Sequence, residues 1–378
     1  MRVLLIEGSG RGFLSHYSHA LGLGLQRAGS EVSLLTGRWD ELWNWPVPYT
    51  KRACLEIGWR AWRCVRAYIR EMKPDVVHLQ WVDNPIHALH FVRWAQKRGV
   101  RVVYTPHNIL PHERRWLLMP VYRMLYRAMD QVVARDVHIA WALEELLDTP
   151  RERVAHLPGS PNFLAMQTQE RDIDSPLPRF SGEQRRLLFF GHGSPRKGLN
   201  GLLKVIAGEE WPESMHLLIA GENVMHGISG EAVSKARAAM RISVLDRYVP
   251  PDEVAVLFRD ADLLLMPYTR QCKSPLLDLA AALHLPVLKS DQVKGADFRE
   301  GLHGVTFCHE DPSAMIDRLK QTDWLKAAKQ ELDARDDPFG SLDRLAAGHL
   351  RLYKQLISAD QSLAGSALAV ENPLHTAR

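Results

Sequence analysis

The sequence predicts two doubly wound α/β domains, and three observations support this. Strand-like apolar runs alternate with helical periods through the first half, and a polar stretch, Gln167 to Gln184 with Pro176 and Pro178, interrupts them. The same alternation then restarts and continues almost to the end. A chain of 378 residues, 46% apolar and 24% charged, is long enough for two cores and excludes collagen-like, disordered and coiled-coil classes. The expected boundaries are 1–166, a linker at 167–184, 185–340, a helix at 341–358 and a frayed tail at 359–378.

The elements follow in order. RVLLIEGSGRGFLSHYSHALGLGLQRAGSEVSLLTG reads as a buried strand, a glycine-rich turn, an amphipathic helix stopped at Gly29 and a second strand. KPDVVHLQW, VRVVYTPHN, QVVARDVHIA and RVAHLPG are further strands, with helices at Ile86 to Lys97 and Trp116 to Met129 between them. In the second half RRLLFFGHGS, MHLLIAGE, ADLLLMPY and PVLKSD are strands. Their helices are Leu199 to Ala207, Asp252 to Phe258 and Leu276 to Leu283. Strands that alternate with helices form a parallel sheet covered on both faces.

Charge is uneven. Residues 1–150 hold 20 Lys/Arg against 14 Asp/Glu, whereas the remainder holds 28 against 30. Arg60, Arg63, Arg66 and Arg70 interleave with Trp59 and Trp62. Arg114, Arg115, Arg123 and Arg127 interleave with Trp116, Leu117, Leu118 and Tyr122. Such stretches suit an anionic membrane surface, and equally a half-buried helix with its arginines in solvent. No nucleic-acid module is present, and no apolar run approaches the roughly 18 residues that cross a bilayer. The four cysteines have no metal-ligand spacing, which indicates a reducing compartment.

In doubly wound sheets ligands sit outside the carboxyl ends of strands. Gly8-Ser9-Gly10-Arg11-Gly12 follows the first strand and is compatible with a plain tight turn and with ligand contact at Gly12 alike. No acidic residue ends the second strand, so NAD binding is disfavoured. Gly191 to Gly198 sets Gly193, Arg196 and Lys197 between a strand and a helix, which suits a diphosphate or a solvated basic turn. Lys273-Ser274-Pro275-Leu276 opens a later helix, with Ser274 as expected N-cap and Pro275 at the first helical position. His107, alone after a strand, is by itself a structural hydrogen-bonder or a site residue.

The glycine turn, PDVVHLQW, TPHNILPHE, FFGHGSPRKGLNGLL, LLIAGE, DRYVPPDEVAVLFRDADLLLMPY and the Ser-led helix before PVLKSD occur in one order over roughly Arg2 to Ile357. This order resembles the family-4 type glycosyltransferases of the GT-B fold, of the kind that build bacterial exopolysaccharide or surface glycans. The resemblance implies an acceptor-binding first domain and a second domain that binds a GDP- or UDP-linked sugar. It implies a glycan or lipid-diphosphate acceptor, no cofactor, no metal, no nucleic acid, and a cytoplasmic protein peripheral on the inner membrane face.

Carried over by position, the family's diphosphate-binding lysine falls on Lys197 and its acceptor-side histidine on His107, while its arginine falls on His192. Arg196 is then the expected replacement cation, and ribose and base are expected near Gly221, Glu222, Arg247, Tyr248 and Val249. The family's paired glutamates fall on Gln271 and Leu279 and are absent, so Ser274 is expected to substitute. A retaining course would use the leaving phosphate as base with His107 beside it. An inverting one would require His16 or Asp83. Two other readings stay open: a silent partner subunit, favoured by the missing glutamates, and a sugar-nucleotide epimerase of the same fold.

Overall fold

The computed structural model describes every residue except 57, 111–114, 160, 167–184, 296–297, 322, 335–337 and 370–378, so the expected linker lies outside the described residues. The chain forms two compact units. The first comprises Met1–Phe163 completed by the segment from Phe339, and the second comprises Leu164–Pro338.

The first unit runs β1 (Arg2–Glu7), α1 (Gly12–Arg27), β2 (Glu31–Gly37), β3 (Thr50–Leu55), α2 (Trp59–Met72), β4 (Val76–Leu79), α3 (Pro85–Gln96) and β5 (Arg101–Tyr104). It continues with α4 (Arg115–Ala128), β6 (Gln131–Ala134), α5 (Val137–Glu145) and β7 (Val154–His156). The strands form one parallel sheet in the order β3-β2-β1-β4-β5-β6-β7. β1 pairs with β2 from Arg2↔Glu31 to Glu7↔Thr36 and with β4 from Val3↔Val76 to Ile6↔Leu79. Apolar side chains fill both faces, as the unbroken apolar runs require. Trp62, Val65, Phe91, Val92 and Leu125 of α2, α3 and α4 cover one face; Tyr17, Leu21 and Leu25 of α1 cover the other.

The run Gln131 to Ala140 is not one strand. It stops at Ala134, because the Asp136 carboxylate accepts the Ile139 amide at 2.9 Å and starts α5. β3 escapes the sequence reading because TKRACL mixes charge with small residues; it is an edge strand, which tolerates that. Its Cys54 thiol lies 3.2 Å from that of Cys64 on α2, a proximity the spacing does not reveal.

The second unit runs β8 (Arg185–Phe190), α6 (Leu199–Ala207), β9 (Met215–Ala220), α7 (Gly230–Ala239), β10 (Arg241–Leu245), α8 (Pro251–Asp260), β11 (Leu263–Met266) and β12 (Cys272–Lys273). It continues with α9 (Leu276–Ala282), β13 (Val287–Ser290), β14 (Val293–Lys294), β15 (Gly304–Phe307), α10 (Pro312–Lys320) and α11 (Asp323–Asp333). Its parallel sheet has the order β10-β9-β8-β11-β13-β15, with β12 and β14 as a separate pair. Leu187, Leu203, Ile206, Leu217, Ile219 and Leu265 form its core.

α12 (Pro338–Ala369) returns to the first unit and extends past Ile357, where a frayed tail was expected. The sequence from Ser358 to Ala369 holds four alanines and two leucines and no proline, enough to carry the helix past three serines and Gly365. Gly24 of α1 lets α12 approach, since a Cβ there would meet Leu342 and Ala346 at 3.0 Å. Tyr353 reaches the sheet, its hydroxyl 2.6 Å from Nδ1 of buried His78 on β4, whose Nε2 lies 2.7 Å from Thr105 Oγ1. Burial holds His78 neutral, well below the usual histidine range. Tyr353→Phe orphans that buried nitrogen and is expected to cost about 1–2 kcal/mol, read as a lower urea midpoint with unchanged slope.

Candidate active site

Strand order reverses between β8 and β11, so the loops leaving β8, β9 and β11 frame a crevice at their carboxyl ends. Glycines bring these loops into contact. A Cβ on Gly221 would fall 2.4 Å from the Gly191 carbonyl oxygen, one on Gly193 1.7 Å from Asn223 O, and one on Gly198 1.8 Å from Pro267 O. Gly191 (φ +123°) lies beneath Lys197: its absent Cβ would be 1.9 Å from the ammonium. The nearest acceptor of Lys197 Nζ is the Phe190 carbonyl, at a long 3.5 Å. Burial first, and then the neighbouring Arg196, push this lysine down to about 8. Arg196 is exposed, and its carbonyl accepts the Thr269 amide at 2.9 Å, which ties the loop to β11.

Leu276 borders Gly191, its Cδ1 4.0 Å from that missing Cβ. Ser274 is not the side-chain cap that was expected. α9 begins at Leu276 with Pro275 preceding it in helical conformation, and the Ser274 hydroxyl bonds to Tyr268 instead. The competing partner is the buried phenol, pushed up to about 12 by its burial. Lys273 is exposed on the β12–β14 pair.

Of the expected nucleoside residues, Gly221 and Glu222 lie in the loop after β9, where the Glu222 carbonyl accepts the Gly193 amide at 3.0 Å. Val249 is core, 6% exposed. Arg247 and Tyr248 are both exposed, but Arg247 is paired with Glu253 on α8 at 2.6 Å, which leaves Tyr248, 41% exposed, as the aromatic turned outward.

In the first unit the switch point lies between β1 and β4. The turn after β1 has its amides engaged by carboxylates of the same unit, which runs against the phosphate contact expected at Gly12. Glu7, fully buried, accepts the amides of Ser9 at 2.5 Å and Gly10 at 2.9 Å and the Thr36 hydroxyl at 3.1 Å. Gly12 N–H donates to Glu41 at 2.5 Å. Two carboxyl groups occupy donors that a phosphate would need. Burial pushes Glu7 up to about 7 despite these bonds. His16 sits on α1 with Nε2 3.3 Å from Glu41.

His107 follows β5. Its Nε2 lies 3.3 Å from Gln80 Oε1, and its ring meets Tyr17 and Phe13 edge-on at 4.9 and 5.6 Å. Burial first, and then Arg135, hold it neutral, well below the usual range. The Asp83 carboxylate, exposed, accepts the Gly58 and Asn84 amides at 3.0 and 2.7 Å. Arg123 and Arg127 donate to the carbonyls of Leu146 and Asp148.

Among the described residues one metal-capable trio comes together, Asp291, Cys308 and His309, with ligand atoms within 4.8 Å of one another. Its Asp291 Oδ1 is engaged by Gln292 at 3.1 Å and by His309 Nδ1 at 2.9 Å. The sequence reading missed this trio, Glu7, Glu41 and Tyr268. Glu7 alone left a local sign, an acid ending an apolar strand just before glycines.

The family model for Glycosyltransferase Family 4 matches residues 14–159, and that for Glycosyl transferases group 1 matches residues 184–322. A GDP-mannose:glycolipid 4-beta-D-mannosyltransferase of Xanthomonas campestris pv. campestris is 26% identical over 309 residues, 76% of this chain and 81% of the relative. Sucrose-phosphate synthase from Thermosynechococcus elongatus superposes with a TM-score of 0.65 at 16% identity, covering 95% of this chain and all of that one. Anabaena HepE in complex with UDP gives 0.62 at 15%, covering 93% of this chain and all of that one.

Proposed function

The chain is a family-4-like glycosyltransferase of the GT-B fold, and on that premise we propose that it moves a sugar from a nucleotide diphosphate to a glycolipid acceptor without a metal. The observation that carries this reading is Lys197, a desolvated cation held over Gly191 at the carboxyl end of the sheet, where doubly wound folds take their ligands. Negative charge grows on the departing phosphate during transfer, and Lys197 with Arg196 supplies positive charge there. GDP-mannose is the first donor to try, because the mannosyltransferase relative is named for it. Surface-polysaccharide assembly is the setting the reading implies, with ribose and base near Gly221, Glu222 and Tyr248 and the acceptor on the first unit.

A peripheral position on an anionic membrane completes the proposal. No helix among the described residues is long and apolar enough to cross one. The α2–α3 layer, however, stacks guanidinium groups on rings: Arg63 on Trp59 at 5.3 Å, and Arg66, Arg70 and Arg98 on Trp94 at 5.3, 5.7 and 4.3 Å. Such pairs keep the charge at the surface, where it meets lipid phosphate.

The test is a melting panel of GDP, UDP, GDP-mannose and UDP-glucose, each with EDTA and with Mg²⁺, followed by transfer of radiolabelled sugar into lipid extracts. One nucleotide is expected to raise the melting temperature equally with EDTA and with Mg²⁺. A response that requires Mg²⁺ overturns the metal-free step. No response to any nucleotide overturns the donor assignment.

A further inference from the structure

The segment between β2 and β3 is Arg38-Trp39-Asp40-Glu41-Leu42-Trp43-Asn44-Trp45, and two of its indoles face water: Trp39 is 74% exposed and Trp43 54%. Large apolar side chains held in solvent mark binding surfaces when they are rigidly built. This segment is built from beneath. Lys51 Nζ donates to the carbonyls of Leu42, Trp43 and Trp45 at 2.6, 3.0 and 3.4 Å. The Asp40 carboxylate, buried, accepts the Leu42 amide at 3.0 Å and lies 3.4 Å from His19 Nε2 and 3.6 Å from Lys51. Trp45 is packed inside against Phe163.

The segment is also joined to the turn at the switch point. Glu41 N–H donates to the Gly10 carbonyl at 2.9 Å, and a Cβ on Gly10 would fall 2.9 Å from Trp39 O. Between the two tryptophans in sequence stand Asp40 and Glu41, both turned inward and engaged, Asp40 with the Leu42 amide, His19 and Lys51 and Glu41 with the Gly12 amide and His16, so the face between the indoles carries no free charge for a phosphate. The nearby cations are engaged: Lys51 lies under the carbonyls, and Arg38 pairs with Glu56 at 2.9 Å. The phosphate-seeking arginines lie instead on the α2–α3 layer.

We propose that Trp39 and Trp43 are the stacking platform for the neutral sugar end of the acceptor. The apolar C–H face of a pyranose lies on an indole face while its hydroxyls stay turned toward solvent. Lys51 Nζ lies 5.5 Å over the Trp43 ring, so the sugar takes the opposite face. This rests on the transferase reading and names the part of the first unit that holds the acceptor.

The experiment labels the full chain with 5-fluorotryptophan and assigns two of the eleven indole ¹⁹F resonances through Trp39→Phe and Trp43→Phe. Millimolar cellotetraose and β-mannotetraose are titrated in, and phosphatidylglycerol vesicles in a parallel series. Both assigned resonances are expected to shift with at least one oligosaccharide, and Trp39→Ala/Trp43→Ala to weaken that binding about tenfold with nucleotide affinity unchanged. Both side chains are exposed, so an unchanged melting temperature verifies that the double variant is folded. No shift with either oligosaccharide overturns the platform; a shift with vesicles alone overturns it in favour of a bilayer contact. The readout is direct binding, so it stands whatever the nucleotide panel returns.

Discussion

Lys197→Ala is expected to reduce affinity for a nucleoside diphosphate by about 100-fold or more, while raising the melting temperature of the ligand-free protein. The two halves have one cause. Burial and Arg196 lower the lysine from its ordinary 10.5 to about 8, so the folded chain holds this proton less tightly than the unfolded chain. A folded-state lysine pKa that is depressed means stability is reduced below about pH 8 and recovers as pH rises from 8 toward 10.5. At pH 7 the strain of the buried charge is about 3 kcal/mol, and alanine relieves it. A bound diphosphate relieves the same strain by pairing with the ammonium, so binding takes up protons and affinity falls above pH 8. Calorimetry of GDP and UDP at pH 7 and 9, beside melting curves without ligand, checks both. Undiminished affinity in the variant would place the phosphate elsewhere. Arg196→Ala has a smaller effect, because that side chain is exposed and solvent screens it.

The close approach of the loops in the second unit was largely legible because its signals are local. A glycine pair, two cations and a strand lie within Phe189 to Gly198, and close backbone approach is what glycine permits. What sequence leaves open there is competition between partners. Ser274 has the position of a helix cap, yet Tyr268, six residues earlier, takes its hydroxyl. The first unit was less legible because its donors are satisfied from a distance. Gly8 to Gly12 looks like an anion turn, but what it binds is decided by Glu7, which precedes it, and by Glu41, 29 residues beyond Gly12. Lys51 beneath Trp43 is likewise a contact that spacing does not announce. Glycine patterns tell where backbone comes close to something. They do not tell whether that something is a ligand or a side chain of the same chain.

Glu7 makes that distinction measurable. Glu7→Ala leaves the Ser9 and Gly10 amides and the Thr36 hydroxyl without their shared acceptor and opens a void, so it is expected to cost about 3–5 kcal/mol at pH 5. The cost should shrink at pH 8, and the sign follows from the titration. Burial raises this carboxyl from its ordinary 4.5 to about 7, so the folded chain binds the proton more tightly than the unfolded one. Stability from the protonated form is complete below about 4.5 and is lost as pH rises through 7. Asp40 is the charged neighbour that adds to this, and it stays ionised because His19 and the Leu42 amide hold its carboxyl below the ordinary range against its burial. The ionised wild type at pH 8 therefore carries a penalty of about 3 kcal/mol that the alanine variant lacks. Glu7→Gln, which keeps one acceptor oxygen and cannot ionise, is expected to flatten the pH dependence of the urea midpoint between pH 5 and 8 at a smaller cost than alanine. If wild type and Glu7→Gln show the same pH slope, the proton resides elsewhere and the turn is held by a permanently charged carboxylate. With a flattened slope, the turn is closed by a group that switches from acid to anion near neutrality. Its amides then remain engaged inside the first unit in both states, in keeping with the proposal that the Lys197 loop takes the diphosphate.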